Sequence, residues 1–355
     1  MRRLFEVSLL TLLLSASVSV SLTFASPAHV ARDADVMARI DTYARYAAAA
    51  YCNNLANNGT NNTVCTNPDP KQCFDLAGAT TVYQYDGKVA VNVAVNPGHK
   101  VIVASFRGTQ NILDFITDVD IPMIAPQKRL AREALAGVPP GTTPPVGRPG
   151  DRDALLPLCS PCQVHRGFWH GFLAVKDDLL KVVARQVQAH PDYRVVVSGH
   201  SLGGALASVA AAYLRKASVK ADLYTYGSPR IGDVHFAEFV SGQNGGMLRV
   251  TNKEDPITVV PPVTFLGYAN TSPEYWFPDK PKNPEYYKVC SGYQNTTECS
   301  GQFYFKPWLI NTQHRIRFYE GGFEACPGDS LEDDLLDTSR LSREDMERLS
   351  KALHM

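Results

Sequence analysis

The chain has 355 residues, 45% of them apolar, which is enough for one large domain with a real core or two small ones. Its 35 basic and 35 acidic residues leave a formal charge of zero, and no basic stripe alternates with aromatics, which argues against a nucleic-acid partner. Charge therefore predicts no partner.

Met1-Arg2-Arg3 is basic, residues 9–22 are largely apolar, and Thr23-Phe24-Ala25 offers small residues for cleavage. This predicts a signal peptide over residues 1–25 and hence a secreted protein. Glu6, Ser15, Ser17, Ser19 and Ser21 argue against a stable membrane anchor, and no later segment is long and apolar enough to span a bilayer. The body of the domain then covers residues 26–326. It begins with an alanine-rich helix at 40–51. Residues 80–85, 89–95 and 101–106 alternate or run apolar between the turn signals Asp86-Gly87 and Asn96-Pro97-Gly98, and read as successive strands. Apolar residues at 172, 175, 179, 182, 183 and 187 predict one amphipathic helix, which leads into a buried strand at 194–200. A helix of small residues follows at 203–214, and strands at 223–226 and 248–251 then alternate with a helical stretch around 236–240. This is an α/β pattern, with a central, mostly parallel sheet flanked by helices. Two segments look added. Residues 125–158 are rich in Pro, Gly and Arg, with a short helical piece at 128–136, and read as a long surface insertion; residues 327–355 form a charged tail.

Secretion makes the eight cysteines readable as disulfides, although on the order of a hundred pairings are open to them. Cys65 and Cys73 flank a polar loop, as do Cys290 and Cys299, while Cys159 and Cys162 form Cys-Ser-Pro-Cys; Cys52 and Cys326 remain. No second pair at zinc spacing accompanies the Cys-x-x-Cys, so no metal and no cofactor is expected. Sequons at Asn58, Asn61, Asn270 and Asn295 suggest glycosylated surface loops.

The chemistry concentrates at Gly199-His200-Ser201-Leu202-Gly203, a Gly-x-Ser-x-Gly turn with a strand before it and a helix after it. That context makes a nucleophile elbow, a tight turn that lifts the serine hydroxyl above the strand end. A serine hydroxyl is a weak nucleophile and needs a histidine, itself oriented by an acid. In α/β-hydrolase folds the acid and then the histidine follow the serine, each at the carboxyl end of a strand. His235 lies too soon after the serine, and His354 is in the charged tail, which leaves His314 as base. Asp222 begins a strand and is at its wrong end. Asp255 follows the strand at 248–251 and is preferred to Asp233 and Glu254. His200 is assigned to packing and hydrogen bonding within the elbow, because adjacent side chains on a tight turn diverge. The oxyanion donors are expected at the Leu202 N–H and at Thr109, in the loop after the strand at 101–106.

Ser105-Phe106-Arg107-Gly108-Thr109, Val164-His165-Arg166-Gly167-Phe168, the elbow itself, Asp255-Pro256-Ile257 with Pro261-Pro262, and Ser272-Pro273-Glu274-Tyr275-Trp276 together resemble the signatures of the fungal secreted class 3 lipases. The resemblance covers roughly residues 43–326. It implies an α/β-hydrolase fold, gives the same roles to Ser201, Asp255, His314, Thr109 and Leu202, and implies four disulfides, Cys52–Cys326, Cys65–Cys73, Cys159–Cys162 and Cys290–Cys299. It also makes residues 110–119 a lid over the site. Ile112, Phe115, Ile116 and Val119 fall on one helical face, with Leu113 beside them, and Phe115 stands where relatives often have tryptophan. Opening an apolar lid in water would cost several kcal/mol, an amount offset at a lipid surface. The chain therefore reads as a monomeric triacylglycerol lipase that works at a lipid–water interface and is activated there. The alternatives are a feruloyl-type or short-chain carboxylesterase of the same fold and an inactive lipid-binding homologue.

Overall fold

The computed structural model describes residues 30–31, 34–52, 62–65, 73, 76–109, 122–128, 156–264, 267–278, 286–304, 312–314 and 319. In chain order, β1 (Val30–Ala31) and α1 (Ala34–Ala49) precede β2 (Asn62–Thr63), β3 (Thr80–Asp86), β4 (Ala90–Asn96) and β5 (Val101–Phe106). The short strands β6 (Met123–Ile124), β7 (Gln127–Lys128), β8 (Leu156–Pro157) and β9 (Val164–His165) lead to α2 (Arg166–Leu173) and α3 (Lys176–Ala189). Next come β10 (Arg194–His200), α4 (Leu202–Lys216), β11 (Ala221–Tyr226), β12 (Gly232–Asp233), α5 (Val234–Gly242) and β13 (Met247–Asn252). A 3₁₀ turn (Pro256–Val259), β14 (Tyr268–Ala269), β15 (Glu274–Phe277), β16 (Tyr286–Cys290) and two further 3₁₀ turns (Cys299–Phe303 and Thr312–His314) complete the described elements.

One sheet of ten described strands has the order β1-β16-β15-β13-β11-β10-β5-β4-β3-β2. Its centre, β5 through β15, is parallel, as the α/β pattern predicts, and both flanks are antiparallel. A parallel strand covered on both faces should be apolar without alternation, and β10 is: Val195 and Val197 enter the core beneath α2, α3 and α4, while Val196 enters the core beneath α1. Helix α1 is fastened by side chains that reach up from the sheet. Ser198 Oγ donates to the Tyr43 carbonyl at 2.8 Å and Tyr226 Oη to the Ile40 carbonyl at 2.7 Å. On the opposite face, Gly203, Gly204, Ala205, Ala207, Ala210, Ala211 and Ala212 are all buried, and their lack of bulk lets α4 lie close on β10 and β11.

The single helix expected over 172–187 is two helices. Val175 has φ −119° and ψ −10° and separates them, with its N–H bonded to the Phe172 carbonyl at 3.1 Å. Periodicity could not register the break, because Phe172, Val175 and Leu179 still point into the same core across it. The first helix also begins earlier than composition suggests, at Ala34, with an Asp35–Arg39 ion pair of 2.9 Å across its first turn.

Cys65–Cys73, Cys159–Cys162 and Cys290–Cys299 are disulfides. Cys52 is disulfide-bonded as well, and its expected partner Cys326 lies outside the described residues. The 125–158 insertion is closed at its base: β7 pairs antiparallel with β8, and the Leu158 N–H meets the Pro126 carbonyl at 2.9 Å. Residues 129–155, the leader at 1–25 and the tail at 327–355 lie outside the described residues. No helix among the described residues is long and apolar enough to cross a membrane.

Candidate active site

Strand β10 ends at His200 and α4 starts at Leu202, so Ser201 alone makes the turn between them. It does so at φ 58° and ψ −130°, a region that L-residues avoid and that costs on the order of 1–3 kcal/mol. Glycines make room for it. A β-carbon on Gly199 would lie 2.2 Å from the Gly203 carbonyl oxygen, and one on Gly203 would lie 2.2 Å from that of Phe106, so neither site tolerates a side chain. The Ser201 N–H is anchored to the Tyr226 carbonyl at 2.9 Å, and the Leu202 N–H falls in the first turn of α4, where amides have no partner within the helix.

Asp255 lies just beyond β13 and caps the Pro256–Val259 turn, its Oδ1 accepting from the Ile257 N–H at 2.9 Å. It is fully buried. His314 Nδ1 lies 3.0 Å from its Oδ1 and 2.9 Å from its Oδ2. A carboxylate only accepts, so Nδ1 carries a hydrogen, and Nε2 is the ring nitrogen that takes up or gives back the second proton. Both His314 Nε2 and Ser201 Oγ are buried and, among the described residues, have no hydrogen-bond partner. These are the two atoms that must exchange a proton if the serine is the nucleophile, and that bond is commonly loose before substrate arrives.

The segment bearing His314 is held from below by two residues. Asn252, the last residue of β13, donates from Nδ2 to the Gln313 carbonyl at 3.0 Å, and His200 Nε2 lies 2.6 Å from the His314 carbonyl oxygen. Burial, and then the neighbouring His314, hold the His200 pKa well below its usual value, so the ring is neutral. The loop after β5 closes against the elbow: a β-carbon on Gly108 would sit 2.9 Å from Ser201 Cβ and 3.0 Å from the His200 carbonyl oxygen. Thr109 follows in that loop and is half-buried.

Residues that look unrelated in the chain thus meet in one place: Ser201, Leu202, Asp255, His314 and the loop of Thr109. The expected lid residues Ile112, Leu113, Phe115, Ile116 and Val119 lie outside the described residues, as do the sequons at Asn58 and Asn61. The sequon at Asn270 is not a surface site. Asn270 is 7% exposed, and its Nδ2 donates to the Thr258 carbonyl at 3.0 Å, directly behind the Asp255 turn. Asn295 is partly exposed, its Oδ1 turned inward to accept from the Thr297 and Glu298 amides at 3.0 and 2.9 Å.

Four residues of the site escaped the sequence reading. Tyr319 Oη donates to Asp255 Oδ2 in a short hydrogen bond, and burial and then the neighbouring Asp255 push its pKa well above the usual tyrosine range. Gly227, at φ 57°, brings its backbone so close that a β-carbon there would lie 2.8 Å from Asp255 Oδ2 and 3.1 Å from His314 Nδ1. Tyr51 and Asn252 complete the set. None belongs to a periodic pattern or a motif; only Tyr319, five residues after the candidate base, carried even a proximity signal.

Residues 103–265 match the family model described as Lipase (class 3). A secreted mono- and diacylglycerol lipase of Fusarium solani is 36% identical over 265 residues, covering 73% of this chain and 70% of the relative. The crystal structure of a mono- and diacylglycerol lipase from Aspergillus oryzae superposes with a TM-score of 0.62 at 30% identity, covering 80% of this chain and 97% of that one. The Rhizomucor miehei lipase in complex with its propeptide gives a TM-score of 0.63 at 25% identity, with 83% of each chain covered. The family model spans the elbow with β10, β11 and β13, the relatives cover most of the chain, and on these matches the chain belongs to the class 3 lipase family, with the α/β-hydrolase fold.

Proposed function

We propose that this protein is a secreted acylglycerol lipase in which Ser201 attacks the ester carbonyl and His314 takes its proton. Asp255 steadies the resulting imidazolium through Nδ1. The tetrahedral oxyanion is met by the N–H groups of Thr109 and Leu202, each such donor being worth about 3 kcal/mol of barrier. His314 then returns the proton to the departing alcohol, and water, activated by the same imidazole, releases the acid from the acyl-enzyme. The observation that carries this is the pair of buried atoms Ser201 Oγ and His314 Nε2, unpartnered among the described residues, one on a strained turn and the other on a ring oriented by Asp255.

Acylglycerols are the substrates named for two of the relatives above, the Fusarium solani and Aspergillus oryzae mono- and diacylglycerol lipases. For this chain the apolar spacing of Ile112, Phe115, Ile116 and Val119 supports a lid that opens at a lipid surface. Purified enzyme should be compared on emulsified triolein, on di- and monoolein, on soluble short-chain esters and on methyl ferulate, above and below substrate solubility. A rise in rate at the onset of the emulsion is expected. Preference for methyl ferulate without that rise would favour the feruloyl esterase alternative, and no turnover of any ester would favour the inactive homologue.

A further inference from the structure

We propose that Tyr51 is a positioning residue for the oxyanion loop, acting through one fixed tautomer of His200, so that the loop, the elbow and the base are set by a single hydrogen-bonded relay. The proposal rests on the assignment of Ser201, His314 and the Thr109 loop made above.

The hydrogen bonds of the relay assign a direction to each hydrogen. His200 Nε2 lies 2.6 Å from the His314 carbonyl oxygen, and a carbonyl only accepts, so Nε2 carries the hydrogen. The ring is buried and neutral, which leaves Nδ1 bare. Tyr51 Oη lies 2.7 Å from that Nδ1 and must donate to it. Its oxygen is thereby oriented to accept from the Gly108 N–H, at 3.1 Å. Gly108 immediately precedes Thr109, and its backbone packs against Ser201 and the His200 carbonyl at a spacing that excludes a β-carbon.

The relay joins residues far apart in the chain: 149 positions separate Tyr51 from His200, and 114 separate His200 from His314. Without the Tyr51 hydroxyl, the Gly108 N–H and His200 Nδ1, both on buried residues, lose a hydrogen-bond partner. The loop that carries the Thr109 donor would then lose one of its anchors beside the place where charge develops. Such a loss lowers the rate of the chemical step while leaving ground-state binding almost untouched.

The test is Tyr51→Phe, with active enzyme counted by titration with a phosphonate ester so that misfolded protein does not enter the rate. On a soluble short-chain ester, kcat per titrated site should fall on the order of tenfold with KM within about twofold of wild type. His200→Asn, which cannot reach both partners, should fall similarly, and the double variant should lose little more than either single one. Long-range proton–nitrogen NMR of the wild-type protein should show His200 as the Nε2–H tautomer, an outcome that does not depend on any variant folding. Wild-type kcat in titrated Tyr51→Phe, fully additive losses in the double variant, or an Nδ1–H tautomer for His200 would each overturn the relay. Ser201→Ala separates the two levels: hydrolysis retained there defeats the assignment of the nucleophile, whereas its loss beside an unaffected Tyr51→Phe defeats only the relay.

Discussion

Tyr319 donates its phenolic hydrogen to Oδ2 of Asp255, an oxygen that also lies 2.9 Å from His314 Nδ1, so the buried carboxylate is held from two sides at one atom. Together with the Ile257 amide on Oδ1, these bonds leave Asp255 no freedom to rotate away from the histidine.

Tyr319→Phe should therefore weaken both the acid's orientation and the fold. A hydrogen bond to a charged group is worth about 1.5–3 kcal/mol, and we expect a stability loss in that range with a several-fold drop in kcat. The pH dependence has a definite sign. The native pKa of Tyr319 lies above its unfolded value of 10.0, so its contribution is complete below about pH 10 and is lost as pH rises toward the native pKa. Urea denaturation between pH 8 and pH 11 should show a shallower alkaline decline in the variant; parallel curves would contradict it.

Ser201 holds a backbone conformation that suits glycine. Ser201→Gly should abolish hydrolysis and yet raise stability by about 1 kcal/mol, while Ser201→Ala abolishes hydrolysis without that gain. Thermal melts of the two variants beside the wild type decide the matter. Equal melting of the glycine and alanine variants would mean that the turn is unstrained.

His200 predicts an acid effect of the opposite sign. Its native pKa lies well below the unfolded value of 6.5, so as pH falls through 6.5 the unfolded chain binds a proton that the native state refuses. That group's share of stability then declines by about 1.4 kcal/mol per pH unit. His200→Asn, although less stable throughout, should lack this component, and its unfolding free energy should fall less steeply between pH 6.5 and pH 5.

Gly227→Ala places a methyl group where Asp255, His314 and Tyr319 leave no space, at a φ of 57° that alanine resists. A loss of about 1–3 kcal/mol in stability and of at least tenfold in kcat/KM is expected. Near-wild-type kinetics would show that the Asp255–His314 pair can shift without cost.

Glycopeptide mass spectrometry of secreted protein should find Asn270 unmodified. Nδ2, the atom that would carry the glycan, faces the Thr258 carbonyl on a residue only 7% exposed, which leaves no room for a sugar. Occupancy at Asn270 would require the Thr258 turn to be open when the chain is processed.

The elbow was legible in the sequence because it is local: a valine run, a glycine-flanked serine and a train of small residues each encode their geometry within a few positions. The meeting of Asp255 and His314 was legible through chain order, since a parallel sheet puts successive strand ends on one side, and the Cys-x-x-Cys and two short-loop disulfides through proximity. The break at Val175 was not, because two helices resting on one sheet face keep a single apolar rhythm. The burial of Asn270 was not legible for a related reason, as a sequon reports three adjacent residues and says nothing about burial. Tyr51, Gly227, Asn252 and Tyr319 belong wholly to the tertiary structure. They reach the site only once the register of β5, β10, β11 and β13 has been set, and a hydrogen bond spanning 149 residues leaves no local trace in the sequence. The sequence by itself determined which residues belong together as a candidate site; packing decided which protons they hold and how firmly they are aimed, because tautomer and orientation depend on partners that only folding brings within 3 Å of one another.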